Sequence, residues 1–144
     1  VNAFHGLPHR IEFAGEKKSV KFYDDSKGTN VGSVLRALET FDQPVILLLG
    51  GRDKDGDFES LRPLLKMKTK KVFLFGEARE RIASLIGKDQ PIILKGRLKE
   101  AIESAYQAAD PGDIVLLSPG CASFDEFANY KERGNYFKDV VRNL

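Results

Sequence analysis

The chain has 144 residues, 42% of them hydrophobic, with 23 basic and 21 acidic side chains and a formal net charge of +2. This length is typical of one domain, and so small a charge without a basic stripe argues against nucleic acid as a partner. The single cysteine, Cys121, argues against a disulfide framework, and no apolar run approaches the length of a membrane span. We therefore expect a cytoplasmic protein. Because the chain begins at Val1 rather than at a methionine, we also expect a fragment or a processed chain.

Residues 9–23 predict a β-hairpin. His9–Phe13 and Ser19–Tyr23 have the composition of strands, and Gly15–Lys18 has that of a turn. Two strands so close along the chain can pair only in the antiparallel sense.

After the hairpin, predicted strands alternate with predicted helices. Pro44–Leu49 is continuously apolar, as in a strand that is buried on both faces. Further strands are predicted at Lys71–Phe75, Pro91–Leu94 and Asp113–Leu117, and helices at Val31–Phe41, Phe58–Leu65 with an interruption at Pro63, Ala78–Ile86 and Leu98–Tyr106. The last part predicts a short helix with Phe124, Phe127 and Tyr130, a break at Gly134, and a terminal helix at Tyr136–Leu144.

This order of elements predicts a single α/β domain over residues 1–144. It resembles Rossmann-like three-layer domains, with a mostly parallel sheet of about six strands and one antiparallel strand from the N-terminal hairpin. The crossovers are expected to be right-handed. The pattern does not determine the order of the strands.

The segment Asp24–Asn30 concentrates polar groups between a predicted strand and a predicted helix. Asn30 suits the N-cap, and the helix start supplies free N–H groups and a partial positive charge. Lys27 adds a full positive charge, and Gly28 lets a ligand approach the backbone. This composition favours a phosphate or a carboxylate ligand. A polar turn with a good helix cap has the same composition, so both interpretations stand.

Two other polar segments, Gly50–Asp57 and Ser118–Ser123, also follow predicted strands. Ligands of open α/β sheets bind beyond the carboxyl ends of the strands, so the three segments predict one shared site.

Common catalytic motifs are missing from the sequence. The patterns G-x-x-x-x-G-K-[ST], G-x-G-x-x-G and G-x-S-x-G are all absent. Ser118 and Ser123 have no histidine partner, and Cys121 has no evident base and is expected to be inert. His5 and His9 form no metal-ligand pattern with Cys121, so we expect no metal site and no catalytic residue in this domain.

Five motifs, taken in order, resemble the C-terminal domain of the Mur ligases. They are H-R at 9–10, D-S-K-G-T-N at 25–30, G-G-R-D-K at 50–54, L-S-P-G-C-A-S-F-D-E-F at 117–127 and E-R-G-x-x-F at 132–137. Together they extend over nearly the whole chain. Within the family, they match the members that add D-glutamate.

The resemblance implies a part of a three-domain bacterial enzyme of peptidoglycan synthesis. Such enzymes use ATP and Mg²⁺ to join D-glutamate to UDP-N-acetylmuramoyl-L-alanine through an acyl phosphate. The N-terminal UDP-binding domain and the central ATPase domain, with the P-loop and the magnesium ligands, would lie outside this chain. The resemblance then implies an isolated domain without activity, and we expect the whole enzyme to be a cytoplasmic monomer.

The resemblance also implies roles for individual residues. Arg10 and Asp25 match positions that contact the nucleotide, where a guanidinium suits phosphate and a carboxylate suits ribose hydroxyls. The positions that match the D-glutamate site are Lys27, Thr29, Lys54, Ser123, Phe124 and Tyr130. Asp24 stands where many members have Asn, and Gly28 and Gly120 stand where Ala is common.

Several of these residues also have a purely structural interpretation. Arg10 could be a surface residue, Lys54 could be solvated, Asp25 could stabilise a helix start, and Ser123 could cap a helix that begins near Phe124. Two other functions stay open for the domain as a whole. They are a stand-alone module that binds a nucleotide or a small acid, and a Mur-type amide ligase domain for another amino acid, such as lysine or diaminopimelate.

Overall fold

A computed structural model describes residues 8–53 and 55–144. It contains the strands β1 (Glu12–Lys17), β2 (Val20–Asp24), β3 (Val45–Gly50), β4 (Thr69–Phe75), β5 (Ile92–Leu94) and β6 (Ile114–Leu117). It also contains the helices α1 (Val31–Thr40), α2 (Arg62–Lys68), α3 (Arg79–Ile86), α4 (Leu98–Ala108) and α5 (Tyr130–Arg142), and a 3₁₀ helix (Phe58–Leu61) directly before α2. Lys54 and residues 1–7, and with them His5, lie outside the described residues.

The six strands form one sheet in the order β1-β2-β6-β3-β4-β5. β1 pairs with β2 in the antiparallel sense, and all the other neighbours are parallel. The predicted fold class is therefore confirmed. The last strand of the chain, β6, inserts between β2 and β3, an arrangement that the sequence pattern did not indicate.

Helices cover both faces of the sheet. Leu47 and Leu49 of β3 pack in the core beneath α1, α2 and α3, and Ile46 and Leu48 of the same strand pack in the core beneath α4 and α5. All four side chains are at most 1% exposed, and full burial of each contributes about 1.5–3 kcal/mol. Burial on both faces explains why β3 is a continuous apolar run rather than an alternating one.

The hairpin begins and turns later than predicted. His9 and Ile11 have φ values of 67° and 46°, outside the range of a strand, so β1 begins only at Glu12. The turn consists of Lys18 and Ser19, whose φ values of 50° and 64° suit a two-residue hairpin turn. Gly15, predicted in the turn, lies within β1 at a register shift, where it makes a bulge.

The segment around Pro63 also differs from the prediction. The residues from Phe58 form two helices in succession, and Pro63 lies in the first turn of α2 rather than interrupting a helix. Proline is tolerated there because the first N–H groups of a helix have no partner within the helix.

The prediction for the C-terminal region was wrong in two places. Residues 124–129 form no helix but a turn, in which the carbonyl oxygen of Ser123 accepts the N–H of Phe127 at 2.8 Å. The helix α5 begins at Tyr130, capped by Asn129, and continues through Gly134. A glycine inside a helix costs about 1 kcal/mol relative to alanine, but here the packing of His9 against Gly134 requires it.

No helix among the described residues is both long enough and apolar enough to cross a membrane.

Candidate functional site

The three polar segments singled out in the sequence follow the three adjacent strands β2, β6 and β3. These segments, Asp24–Asn30, Gly50–Asp57 and Ser118–Ser123, largely coincide with three connections. We call the connections the β2 loop (residues 25–30), the β3 loop (residues 51–53 and 55–57) and the β6 loop (residues 118–129). The β2 and β3 loops lead to the helices on one face of the sheet, whereas the β6 loop leads to α5 on the other face. Because the loops leave adjacent strands toward opposite faces of the sheet, a crevice opens at its carboxyl edge, where ligands of such folds bind.

Backbone hydrogen bonds hold the three loops together. Gly120 N donates to Gly28 O at 3.0 Å and joins the β6 loop to the β2 loop. Arg52 and Ala122 exchange two bonds of 2.9 and 3.0 Å, which join the β3 loop to the β6 loop. The loops therefore form one continuous surface, as a shared site requires.

Two cavities that include residues of the β2 loop lie along this surface, one at the N-terminus of α1 and one along the side of that helix. The larger one, about 450 Å³, is lined by Thr29, the N-terminal residues of α1, and parts of the β3 and β6 loops. Asn30 caps the helix by accepting Ser33 N at 2.9 Å. The N-terminus of α1 lines this cavity and has no acidic residue in its first turn, which favours a carboxylate ligand. Asp53 and Asp57 on the same wall oppose one, although Asp53 is already paired with Arg81.

The smaller cavity, about 230 Å³, is lined by Arg10, Asp25, Lys27 and the side of α1. It brings together the two residues matched to nucleotide binding, Arg10 and Asp25. It also contains Lys27, which the resemblance assigns to D-glutamate. The ammonium of Lys27 lies 5.5 Å from the centre of the Tyr130 ring, a cation–π contact that restrains the lysine.

Of the other described residues matched to D-glutamate, Thr29 is exposed and lines the larger cavity, and Tyr130 lies against Lys27 of the smaller one. Ser123 and Phe124 line neither cavity, although the buried Ser123 directly follows Ala122 on the wall of the larger one. Phe124 is 55% exposed. Lys54 lies outside the described residues.

Asp25 is a buried carboxyl group with partners for both oxygens. Ser118 Oγ donates to Oδ2 at 2.8 Å, and Ile11 N donates to Oδ1 at 3.2 Å. Burial raises the pKa of Asp25 to about 6, and the bonds from Ser118 and Ile11 oppose that rise. At pH 7 most of the group is therefore ionised and can accept a further hydrogen bond.

Arg133 is a buried arginine that links two loops of the site. Sequence reasoning assigned this residue no role. It is 1% exposed, and its guanidinium donates to Cys121 O at 2.9 Å and to Ser26 O at 2.7 Å. Burial lowers the pKa of Arg133 to about 10, so it keeps its charge at pH 7. One cation thus joins the β6 loop to the β2 loop. The E-R-G-x-x-F motif contains this residue, but nothing in the motif indicates burial.

Sequence reasoning also missed the pairing of His9 with Asp24. His9 Nδ1 lies 2.7 Å from Asp24 Oδ2, and both residues are buried. Asp24 Oδ1 accepts the N–H and the hydroxyl of Ser26, and His9 O accepts Lys27 N at 3.0 Å. These bonds fasten the segment before β1 to the β2 loop, and so hold Arg10 beside Lys27.

The described residues contain one cluster that could be mistaken for a metal site. His9, Glu12 and Asp24 have potential ligand atoms within 4.8 Å of one another. However, His9 already pairs with Asp24, and Glu12 Oε1 accepts Lys138 Nζ at 2.7 Å. An ammonium group beside the cluster repels a cation, and Mg²⁺ prefers an octahedron of oxygen ligands. The cluster therefore does not fit Mg²⁺.

Cys121 is 1% exposed, and burial raises the pKa of its thiol to about 12. A thiol in this state is a poor nucleophile, in agreement with the expected inert role.

The chain matches the family described as "Mur ligase, glutamate ligase domain" over residues 9–121. It is 62% identical over 142 residues to the UDP-N-acetylmuramoylalanine--D-glutamate ligase of Syntrophus aciditrophicus, with 99% of this chain and 31% of that protein aligned. It is 52% identical over 144 residues to the protein of the same name from Bdellovibrio bacteriovorus, with 100% of this chain and 31% of that protein aligned. The chain thus spans less than a third of the length of these two curated relatives.

Solved structures with the same fold are more distant in sequence. A bifunctional folylpolyglutamate synthase/dihydrofolate synthase from Yersinia pestis superimposes with a TM-score of 0.69 at 14% identity, covering 99% of this chain and 32% of that one. The MurF ligase from Thermotoga maritima in complex with ADP superimposes with a TM-score of 0.63 at 19% identity, covering 99% of this chain and 32% of that one. At these identities the structures show the fold alone.

Proposed function

This chain belongs to the Mur ligase family, and we propose that it is the C-terminal domain of an ATP-dependent ligase that joins D-glutamate to UDP-N-acetylmuramoyl-L-alanine in peptidoglycan synthesis. The observation that carries the proposal is the 62% identity, over 99% of the chain, with a relative named for that reaction. The N-terminal UDP-binding domain and the central ATPase domain would belong to the rest of the protein. Since ATP and the UDP-linked substrate are cytoplasmic, so is the proposed enzyme.

The proposed site for D-glutamate is the larger cavity together with Lys27, whose ammonium would reach the substrate from the neighbouring smaller cavity. A substrate with two carboxylates needs cations and hydrogen-bond donors, which Lys27, Lys54, Thr29 and Ser123 would provide. The N-terminus of α1 supports this assignment because it adds N–H groups and a partial positive charge beside Thr29. Phe124 and Tyr130 would enclose the substrate, and Tyr130 also restrains Lys27.

The smaller cavity is the proposed site for part of ATP. The guanidinium of Arg10 would bind phosphate, and the ionised carboxylate of Asp25 would accept a ribose hydroxyl. The described cluster of His9, Glu12 and Asp24 does not fit Mg²⁺, so we assign the magnesium ligands to the rest of the protein.

In the proposed reaction, the substrate carboxylate takes the terminal phosphoryl group of ATP and forms an acyl phosphate and ADP. The amine of D-glutamate then attacks the acyl carbon, a C–N bond forms, and inorganic phosphate leaves. The residues of this domain orient the amine, and closure over the ATPase domain would exclude water from the acyl phosphate. By this mechanism the domain alone has no activity.

The test uses the full-length protein that contains this domain. Purified protein is mixed with ATP, Mg²⁺ and UDP-N-acetylmuramoyl-L-alanine, and phosphate release is measured with D-glutamate, L-glutamate, L-lysine or diaminopimelate. We expect release that depends on D-glutamate and a product that is heavier by one glutamyl residue. Dependence on lysine or diaminopimelate would assign the domain to another amide ligase. A full-length protein that binds a nucleotide or D-glutamate without any turnover would instead favour a binding module.

A further inference from the structure

Arg36 lies at the smaller cavity, yet none of the motifs that identify the family includes it. It follows Ser33 by one turn of α1 and precedes Thr40 by another. At this spacing the three side chains share one face of the helix, and all three line the cavity together with Arg10 and Lys27. The helix therefore presents a guanidinium to the space that the nucleotide residues enclose.

This cavity has an excess of positive charge. Arg10, Lys27 and Arg36 line it, and Asp25 supplies a carboxylate. Both oxygens of Asp25 already accept bonds, from Ser118 and Ile11. Within residues 8–53 and 55–144, none of the three cations forms an ion pair with a carboxylate. Three cations that share a small space with one carboxylate leave it a net positive charge, which attracts an anion.

The guanidinium of Arg36 is available to such an anion. Its contact on α1 is one long hydrogen bond, 3.4 Å from Nη2 to Ser33 Oγ. By contrast, the arginine beside the larger cavity, Arg52, already pairs with Glu77 at 3.2 Å. A planar guanidinium can bind two phosphate oxygens at once, so Arg36 and Arg10 together suit a chain of phosphates better than a single carboxylate.

We propose that Arg36 is a further nucleotide-binding residue that, together with Arg10, donates hydrogen bonds to the phosphate oxygens of ATP. This role rests on the proposed function, because the nucleotide site of Arg10 and Asp25 is part of it. It adds a contact from the middle of α1, a region outside the loops that contain the other site residues.

The experiment compares R36A, R36K and R142A with the wild type in the full-length protein. Arg142 is an exposed arginine at the end of α5, so R142A removes the same charge far from both cavities. We expect the KM for ATP to rise about tenfold in R36A, to be partly restored in R36K, and to be unchanged in R142A. We expect kcat and the KM for D-glutamate to stay within about twofold of the wild-type values in all three variants. An unchanged KM for ATP in R36A, or a rise that is confined to the KM for D-glutamate, would overturn the proposal.

A second measurement distinguishes failure of the proposed ligase function from failure of the Arg36 proposal. If the wild type shows no ATP turnover that depends on an amino acid, ADP binding is measured by calorimetry in the wild type and in R36A. A Kd about ten times higher in R36A supports the role of Arg36 in nucleotide binding even then. Equal Kd values, or no binding of ADP to the wild type, overturn it.

Discussion

The imidazole of His9 packs against the backbone of Gly134, where any larger residue would displace it. A Cβ atom at residue 134 would overlap the imidazole ring and lie 2.6 Å from Asp24 Oδ2. Asp24 is fully buried and pairs with His9, so neither partner has free space to move into. The segment that contains Arg10 can therefore pack against α5 only because residue 134 is a glycine.

We expect Gly134→Ala to lower the free energy of unfolding by about 1–3 kcal/mol, because the added methyl group overpacks a closed site. The measurement is urea denaturation of this chain. Gly32→Ala is the matched control, since Gly32 is also helical and its Cβ would meet only ordinary contacts of 3.5 Å. Gly32→Ala should leave stability unchanged or raise it by up to about 1 kcal/mol. Equal effects of the two substitutions would contradict the packing argument.

Arg133→Met should destabilise the domain by about 3 kcal/mol or more, because the carbonyl oxygens of Ser26 and Cys121 lose a buried charged donor. Arg133→Lys should recover only part of this loss, since an ammonium cannot reproduce the fork that reaches both oxygens. Thermal and urea unfolding give the comparison. Arg142→Met, at an exposed arginine of the same helix, should change stability by less than about 0.5 kcal/mol. If Arg133→Met were as stable as the wild type, the link between the two loops would make no contribution to stability.

Asp25 should make the stability of the domain fall as the pH rises from about 4 to about 6. Its folded pKa, about 6, is above the reference value of 3.8, so in this window the folded state binds more protons than the unfolded state. The cost of ionising the buried group is absent below about pH 4 and complete above about pH 6, where it amounts to about 2–3 kcal/mol at most.

Asp25→Asn removes this titration. The stability of the variant relative to the wild type should therefore increase across that pH range and then become constant. Urea unfolding of both proteins from pH 4 to pH 8 tests this, and two parallel stability curves would refute it.

The two lysines matched to D-glutamate can be tested in the full-length protein. Lys27→Ala and Lys54→Ala should each raise the KM for D-glutamate about tenfold through the loss of a charged contact with a carboxylate. Lys66→Ala, at an exposed lysine of α2, is the control and should leave the KM unchanged. An unchanged KM in either of the first two variants would remove that lysine from the site. Because Lys27 lies in the same cavity as Arg10, a rise in the KM for ATP alone would reassign it to the nucleotide.

The sequence was sufficient to predict the helices and strands that are marked by a regular spacing of apolar residues or by a capping residue. The apolar face of α1, the buried run of β3 and the Asn30 cap follow from backbone periodicity and from the chemistry of helix ends, so they were predicted close to their observed bounds. Glycines were harder to interpret. Gly15 and Gly134 were assigned to a turn and a helix break, but they lie in a β-bulge and in a helix interior, because the same residue also permits close packing.

The sequence by itself determined the fold class, the three polar loops and, through five ordered motifs, the family. These features depend on neighbours along the chain, which a pattern records directly. The tertiary structure alone decided that β6 enters between β2 and β3 and that Lys27 shares a cavity with Arg10 and Arg36. It also decided that Arg133 links the β2 and β6 loops through hydrogen bonds to their carbonyl oxygens. Such relationships join residues far apart in the sequence, and they form because burial of the two apolar faces of the sheet brings those residues together.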